Sequence, residues 1–504
     1  MRVFSKHKIS RPDSLSWAML VAMVLLSFLL YRPALNGYFV SEDLRHLTFG
    51  WSEVTAEFSD WGQSMGYRPG TTLYLVLNNL LWGRNQIGHH ATVFFLHGIV
   101  SWLVYLVVRR VTGEYVSGLL AALVFVAAPI HTEAVIWLAA AAGTVTSGLL
   151  CMLAIWLWVR QDSPPSSWTI GFVAGLYFLA LLVKEVAIVL PLLLVLVDWR
   201  MRRFEKGFRP ILRKVLSYWP FAVSLGTYGF LHFSSGALTH SFDYGVRLDA
   251  SFPQMADMWT ICARDLFRPI STFVEWKIGA HNWIWLGIFL VLLHTVREGR
   301  WGALWAMAAL LPGATAYEPR LTYLSVVGFA ILASQTLLWI TRGVESWLHL
   351  ESKPNRYVSL GSIFIAIFVI GLLVADTRAL YRDAANWEKA GELTWSIPRQ
   401  ARELLPEPPD NAELHFIDLP DNVNGAYAFR WGIVHEVRYV YNDPDLAVHH
   451  VLPGPPRWGK VTLDSIPCEA ANPRFFFKYD SELEELQMVS PSEFGMDCPQ
   501  NDTQ

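Results

Sequence analysis

Four short charged patches interrupt an otherwise apolar chain: Glu42-Asp43, His131-Thr132-Glu133, Lys184-Glu185 and Glu318-Pro319-Arg320. Ionisable groups beside lipid are costly, so by default they mark functional sites. A carboxylate can take a proton from an attacking hydroxyl. A lysine binds phosphate as a point charge, and an arginine binds it through a bidentate fork. Arg68, in Tyr67-Arg68-Pro69, adds a third cation. Together these residue types suit chemistry on a phosphate-bearing anion presented at a membrane surface.

Each patch also has a plainer reading. Glu42 and Asp43 can be solvated loop carboxylates. Thr132 can cap a helix with Glu133 favouring its dipole, which leaves His131 without a role. Lys184 and Glu185 can pair with each other in a turn, and Arg320 can snorkel to an interface. The case for a site rests on all four patches falling on one side of the membrane.

That sidedness follows from the elements around them. The chain has 504 residues, of which 53% are hydrophobic, and its mean hydropathy is positive. This is too apolar for a soluble protein of such length. The net charge of -3 averages a basic side with an acidic tail. There is no basic nucleic-acid stripe, P-loop or Rossmann glycine cluster, so no nucleic-acid partner is expected. The basic start and the apolar run Leu15–Leu30 lack a small-residue cleavage site and read as an uncleaved first span.

Ten further apolar stretches follow: Ala91–Val108, Val116–Ala128, Ala134–Val159, Trp168–Val183, Val186–Trp199, Leu216–Phe233, Ile284–Val296, Trp301–Tyr317, Leu321–Thr341 and Val358–Ala375. The reading is therefore an all-α polytopic membrane protein with about eleven spans. Arg109-Arg110, Arg160, the Arg200–Lys214 cluster, Arg297 with Arg300, and Arg342 all become cytoplasmic if Trp168–Trp199 counts as two spans. The N-terminus is then inside and the C-terminus outside. All four charged patches lie at the outer surface. The stretch Thr71–Trp82 is too short to span and reads as an interfacial helix.

The membrane region should cover residues 1–380, and residues 381–504 a linker and a small extracytoplasmic domain. Pro406-Glu407-Pro408-Pro409 marks the linker, and strand-like runs at Glu413–Ile417, Val437–Tyr441, Lys460–Leu463 and Phe475–Tyr479 suggest a mostly β fold. Cys151 and Cys262 read as packing residues. Cys468 and Cys498 lie in the exported part and form a candidate disulfide.

The order Asn36-Gly37-x-Phe39-Val40-x-Glu42-Asp43, Tyr67-Arg68-Pro69, Pro129-Ile130-His131-Thr132-Glu133-Ala134-Val135, Lys184-Glu185 and Arg320-x-x-Tyr323 resembles the GT-C glycosyltransferases. It is most similar to the membrane half of the transmembrane-and-TPR O-mannosyltransferases and their prokaryotic relatives, over about residues 15–380. Pro129–Val135 is the most specific element.

The resemblance implies an inverting transfer of a sugar, mannose being one candidate, from a polyprenyl-phosphate donor to an acceptor hydroxyl on the exoplasmic face. No covalent nucleophile is needed. Glu42 and Asp43 take the catalytic-base role, His131 and Glu133 the acceptor side, and Lys184, Arg320 and Arg68 the donor phosphate. A divalent metal would be compatible, but the sequence indicates no ligand set. The implied setting is a plasma membrane, prokaryotic by the nearest likeness, and the acceptor is a glycan or a protein.

Two departures stand out. Where the family often has Gly-Arg-x-Asp, this chain has Gly143-Thr144-Val145-Thr146, and the first acidic position is Glu rather than Asp. No TPR repeats appear, so the family's protein acceptors are not carried over. A transporter of lipid-linked glycans and an inactive GT-C scaffold are the competing readings. A transporter would string its charges along a path through the bilayer. The enzyme reading requires Glu42, Asp43, His131, Glu133, Lys184 and Arg320 to converge on one outer cavity.

Overall fold

The computed structural model describes residues 13–59, 67–161, 165–203, 215–235, 252–268, 270–272, 282–313, 318–347, 360–452, 461–462, 472–490 and 493. Cys468 and Cys498 lie outside the described residues, as does most of the Arg200–Lys214 loop. The described chain is mostly helical and falls into two compact units. The first is formed by residues 1–32, 50–81 and 88–382, the second by 33–49, 82–87 and 383–504.

In the first unit the helices are α1 (Ser14–Leu30), α2 (Trp51–Ser59), α3 (Pro69–Trp82), α4 (Gln86–Thr112), α5 (Tyr115–Ala127), α6 (Thr132–Ile136), α7 (Leu138–Val159), α8 (Ser167–Val183) and α9 (Leu190–Arg200). They continue with α10 (Trp219–Ser234), α11 (Phe252–Leu266), α12 (Asn282–Thr295), α13 (Arg300–Leu310), α14 (Tyr323–Trp347) and the start of α15 (Leu360–Leu404). Among the described residues, four helical stretches are long and apolar enough to cross a membrane: Gln86–Thr112, Leu138–Val159, Pro319–Val344 and Ile363–Leu404. The bent pair Tyr115–Ala127 and Pro129–Ile136 would make a fifth. Several of the stretches read as spans are shorter. Val186–Trp199 resolves into a 3-10 turn at Glu185–Val189 and the helix α9, and Trp301–Tyr317 into α13 and a turn at Leu311–Gly313. The chain is a multi-pass membrane protein.

Its packing follows membrane rules. Lipid is as apolar as leucine, so helices associate where small residues let their backbones meet. A Cβ on Gly328 of α14 would lie 2.3 Å from the Ala306 backbone nitrogen of α13, and one on Gly302 would lie 2.7 Å from the Gly328 carbonyl. Val21, Leu25 and Leu29 of α1 and Ile363, Ile367 and Ile370 of α15 are exposed, as expected of lipid-facing sides. Buried Arg109 near the end of α4 holds Asp13, the cap of α1, at 2.8 Å, and also Ser16. The Asp13 carboxyl is consequently held well below the usual range, chiefly by the Arg109 hydrogen bond.

The second unit departs from the mostly β expectation. Helix α15 carries 22 residues past Arg382 to Leu404, with Pro398 inside it. Next come β1 (Glu413–Ile417), β2 (Asn422–Val423), β3 (Ala426–Tyr427), α16 (Ile433–Tyr441), β4 (Ala447–Leu452), β5 (Val461–Thr462), β6 (Arg474–Asp480) and β7 (Glu485–Val489). The sheet order is β5-β4-β1-β6-β7, and only the β6–β7 pair is antiparallel. A parallel β1–β4 pair needs a crossover, and α16 supplies it. The strand expected at Val437–Tyr441 is thus the end of a helix. Ile433, Glu436, Val437 and Val440 are its buried positions, the i, i+3, i+4, i+7 stripe of an amphipathic helix. β-branched valines gave the run its strand-like look, whereas Gly432 and Asn442, both left-handed, bound it as a helix. The stretch Asp43–His46 adds one further helical turn to this unit.

Candidate active site

All the charged patches of the first unit sit where helices break. Pro129 ends α5 because Ala128 before it is pushed to extended backbone, and the chain bends by 48°. The short helix α6 with Glu133 follows. Lys184 is extended between α8 and the 3-10 turn Glu185–Val189. Glu318 is extended before the 3-10 turn Pro319–Thr322, which carries Arg320. Irregular backbone in a membrane protein persists where protein or a wet cavity satisfies it.

The geometry gives each of these patches specific partners. Thr132 donates its hydroxyl to the Pro129 carbonyl at 2.6 Å and caps nothing. Glu133 pairs with Arg320, and the same guanidinium pairs with Glu318. Arg320 also lies 5.0 Å from the Trp137 ring centre. Lys184 and Glu185 part company. Glu185 takes a two-pronged bond from Arg68, at 2.9 and 2.5 Å. Lys184 is buried and donates to Thr144 at 2.6 Å. Among the described residues its ammonium has no carboxylate within salt-bridge distance. Burial, reinforced by Arg320 and Arg68, pushes Lys184 down to about 7, against the pull of Glu185 and Glu318.

The first unit therefore gathers Glu133, Lys184, Arg320 and Arg68. It places His131 differently. That imidazole is fully buried, packed edge-on to Phe125 and His97 and tilted against Tyr323, and neither ring nitrogen finds a hydrogen bond among the described residues. It braces the Pro129 bend from inside and does not line an open mouth. Sequence reading missed His97, whose Nδ1 lies 2.8 Å from the Tyr323 hydroxyl. It also missed Thr144. That threonine occupies the Arg position of the family's Gly-Arg-x-Asp element and meets Lys184 instead. Glycine at 143 leaves room for this, since a Cβ there would come within 3.3 Å of Lys184 Cδ.

Glu42 and Asp43 belong to the second unit. Asp43 is buried and its Oδ2 accepts from the Val40 N–H at 3.2 Å. Glu42 is half-buried, and its Oε2 accepts from the Ser41 hydroxyl at 3.2 Å. Ser41 has φ +52°, a left-handed conformation uncommon for serine, which turns the two carboxylates out of the preceding strand-like run. A partly open cavity of about 200 Å³ in the first unit is lined mainly by apolar residues, among them Pro129, Ile130, Phe267, Phe329 and Phe368. Asp265, Arg268 and Asp376 are its charged lining.

No family model matches the chain. Its sequence is 31% identical over 188 residues to the Protein O-mannosyl-transferase Tmtc1 of Drosophila melanogaster, covering 34% of this chain and 22% of that protein. It is 30% identical over 172 residues to the Protein O-mannosyl-transferase tmtc2 of Xenopus laevis, covering 30% of this chain and 20% of that protein. The chain thus spans about a fifth of the length of these relatives. Among solved structures, apo ArnT from Cupriavidus metallidurans superposes with a TM-score of 0.53 at 14% identity, covering 93% of this chain and 94% of ArnT. Along about a third of its length the chain is similar to the TMTC O-mannosyltransferases, and it shares the fold of ArnT, in line with its GT-C resemblance.

Proposed function

We propose that the chain is an inverting glycosyltransferase that moves a sugar from a polyprenyl-phosphate donor to an acceptor hydroxyl on the exoplasmic face of a plasma membrane. The observation that carries this reading is Lys184: a buried ammonium flanked by two arginines and, among the described residues, hydrogen-bonded only to the Thr144 hydroxyl. Burying an ammonium with no carboxylate in salt-bridge contact is costly. A phosphate ligand would offset that cost. The acceptor oxygen attacks the anomeric carbon, the bond from that carbon to the phosphate oxygen breaks, and the proton passes to the Glu42-Asp43 pair. Charge builds on the leaving phosphate, where Lys184 and Arg320 stabilise it more strongly than they could in water. The apolar cavity beside Pro129 and Ile130 has the character that a polyprenyl tail requires. The relatives' names supply mannose as the first sugar to try, and Thr144 in place of arginine argues for testing others. The prokaryotic setting expected from the sequence stands in this proposal beside a bacterial fold neighbour and animal relatives.

Lys184→Met is the direct test. Loss of one charged hydrogen bond to the phosphate, worth about 1.5–3 kcal/mol, should weaken donor binding roughly 10- to 100-fold. Arg320→Ala should weaken both donor binding and turnover. The pH dependence has a definite sign. Lys184 is charged below about 7, so donor KM should rise as pH climbs through that value, and Lys184→Arg should flatten the rise. Unchanged donor affinity in Lys184→Met removes the phosphate assignment.

The orientation is testable separately. Glu298 is exposed, at 64%, in the Arg297–Arg300 turn, and Asn422 is exposed in the second unit. With cysteines at both places, an impermeant thiol reagent applied from outside should label position 422 and spare 298. Labelling of both from one side overturns the topology.

A further inference from the structure

The second unit holds a group of side chains that the proposed reaction does not use. Glu413 and His415 project from the same face of β1, two residues apart. His449 of β4 is the in-register partner of His415 in the parallel pair, so it shares that face. One ligand atom from each of the three lies within 4.8 Å of the others. His415 Nε2 is 3.6 Å from Glu413 Oε2, and the two imidazoles are stacked with centres 4.7 Å apart. Among the described residues this is the one such cluster of three metal-ligating side chains.

The independent observation is His415 itself. It is only 3% exposed, yet neither ring nitrogen has a hydrogen-bond partner among the described residues. Buried polar atoms without partners are rare, and each costs about 1–3 kcal/mol. Phe476 covers the other face of the ring, at 4.9 Å. The carboxylate is oriented too: Asn472 donates to Oε1 at 3.1 Å and Arg474 to Oε2 at 2.9 Å. Such outer hydrogen bonds are what a metal-ligating carboxylate ordinarily receives.

We propose that Glu413, His415 and His449 form a transition-metal site, best suited to Zn²⁺, in the C-terminal sheet. Two imidazoles and one carboxylate match zinc rather than Mg²⁺ or Ca²⁺, which prefer all-oxygen shells. Three protein ligands leave a fourth position open, and His449 is only half-buried, so solvent can reach it. The stacked rings must turn out of their near-parallel arrangement to bring both nitrogens to a common ion. Arg474 is the competing cation and must keep its hydrogen bond from the far side of the carboxylate or yield it. The site joins β1 to β4, so the ion would clamp the two parallel strands at the middle of the sheet.

The experiment uses the full untagged chain in detergent. After loading with Zn²⁺ and exhaustive dialysis, about one zinc per chain should remain by elemental analysis, as expected for one three-ligand site. His415→Phe keeps the stack between His449 and Phe476 while removing both donors, and it should abolish retention. His449→Phe should do the same, and Glu413→Gln should lower the zinc affinity by at least about tenfold, the scale on which even outer partners act. Mg²⁺ should not compete. The absence of bound zinc in the native chain overturns the proposal, as does unchanged retention in both phenylalanine variants. Glu413→Gln supplies the decision should those variants misfold.

Discussion

Asp43→Asn should lower turnover by roughly 10²- to 10⁴-fold, the range lost when a positioned proton acceptor is removed, while donor affinity stays near its native value. The substitution keeps the side-chain volume and the acceptor that meets the Val40 N–H, so the loop should hold its shape. What it removes is the charge and the basicity. Glu42→Gln is its companion, and the two carboxylates differ in a way that divides their roles. Asp43 is buried and anchored, whereas Glu42 is half-buried and touches the Ser41 hydroxyl. The anchored group has the fixed direction that proton abstraction needs, and the more open one suits contact with the incoming acceptor. On that division Asp43→Asn should reduce kcat, and Glu42→Gln should act more on acceptor KM. Because removal of the proposed base leaves the cations of the first unit untouched, donor binding separates this result from a loss of Lys184 or Arg320. Full activity in the Glu42→Gln/Asp43→Asn double variant would defeat the enzyme reading.

What the sequence made legible was mostly what lipid imposes. Charge in an apolar chain is conspicuous, so Glu133, Lys184, Arg320 and Arg68 could be picked out, and the first unit does bring them together. Their pairing was not legible. Arg68 with Glu185 spans 117 residues and Arg320 with Glu133 spans 187, and no local pattern encodes such partners. The contacts of neutral residues were not legible for a related reason: Thr144 stands out only as a departure from the family pattern, and His97 looks like an ordinary helix residue until Tyr323 is seen against it. The span pattern was read from hydropathy, which cannot tell a full crossing from a short helix joined to a 3-10 turn. Val186–Trp199, a 3-10 turn followed by α9, is such a case. In the C-terminal part, β1 was recovered residue for residue, while α16 was missed because its valines outweighed its 3.6-residue burial period.

The second large effect is expected at a residue far from any sequence patch. Glu436 of α16 is fully buried, and three groups converge on it: the Tyr38 hydroxyl at 2.7 Å, the Arg84 guanidinium, and Arg399 at 3.5 Å. Arg84 also donates to the Tyr38 hydroxyl and lies 3.5 Å from the Tyr439 ring centre. Tyr38 begins the segment that ends in Glu42-Asp43. The same segment is gripped at two more points. Thr394 donates to the Phe39 carbonyl at 2.7 Å, and Ala428 accepts from the Ser41 N–H at 2.9 Å. Gly432, with φ +93°, fits so closely that a Cβ would lie 2.2 Å from the Ser41 carbonyl. The C-terminal part of this unit is therefore the mould for the acidic loop. Glu436→Gln would leave two partly exposed guanidinium groups facing a neutral amide, and since breaking a fully buried charge pair costs about 3–5 kcal/mol, this change should cost a solvent-screened fraction of that. The melting temperature should fall, and turnover should fall with it as Tyr38 loosens. Donor affinity should hold, because the cations proposed to bind the phosphate belong to the first unit. Tyr38→Phe removes one hydroxyl and should cost only about 1 kcal/mol, which gives a graded control. Gly432→Ala should disturb Ser41 directly, lowering turnover with Glu436 intact. Native melting and native turnover in Glu436→Gln would show that the acidic loop keeps its geometry without this clamp.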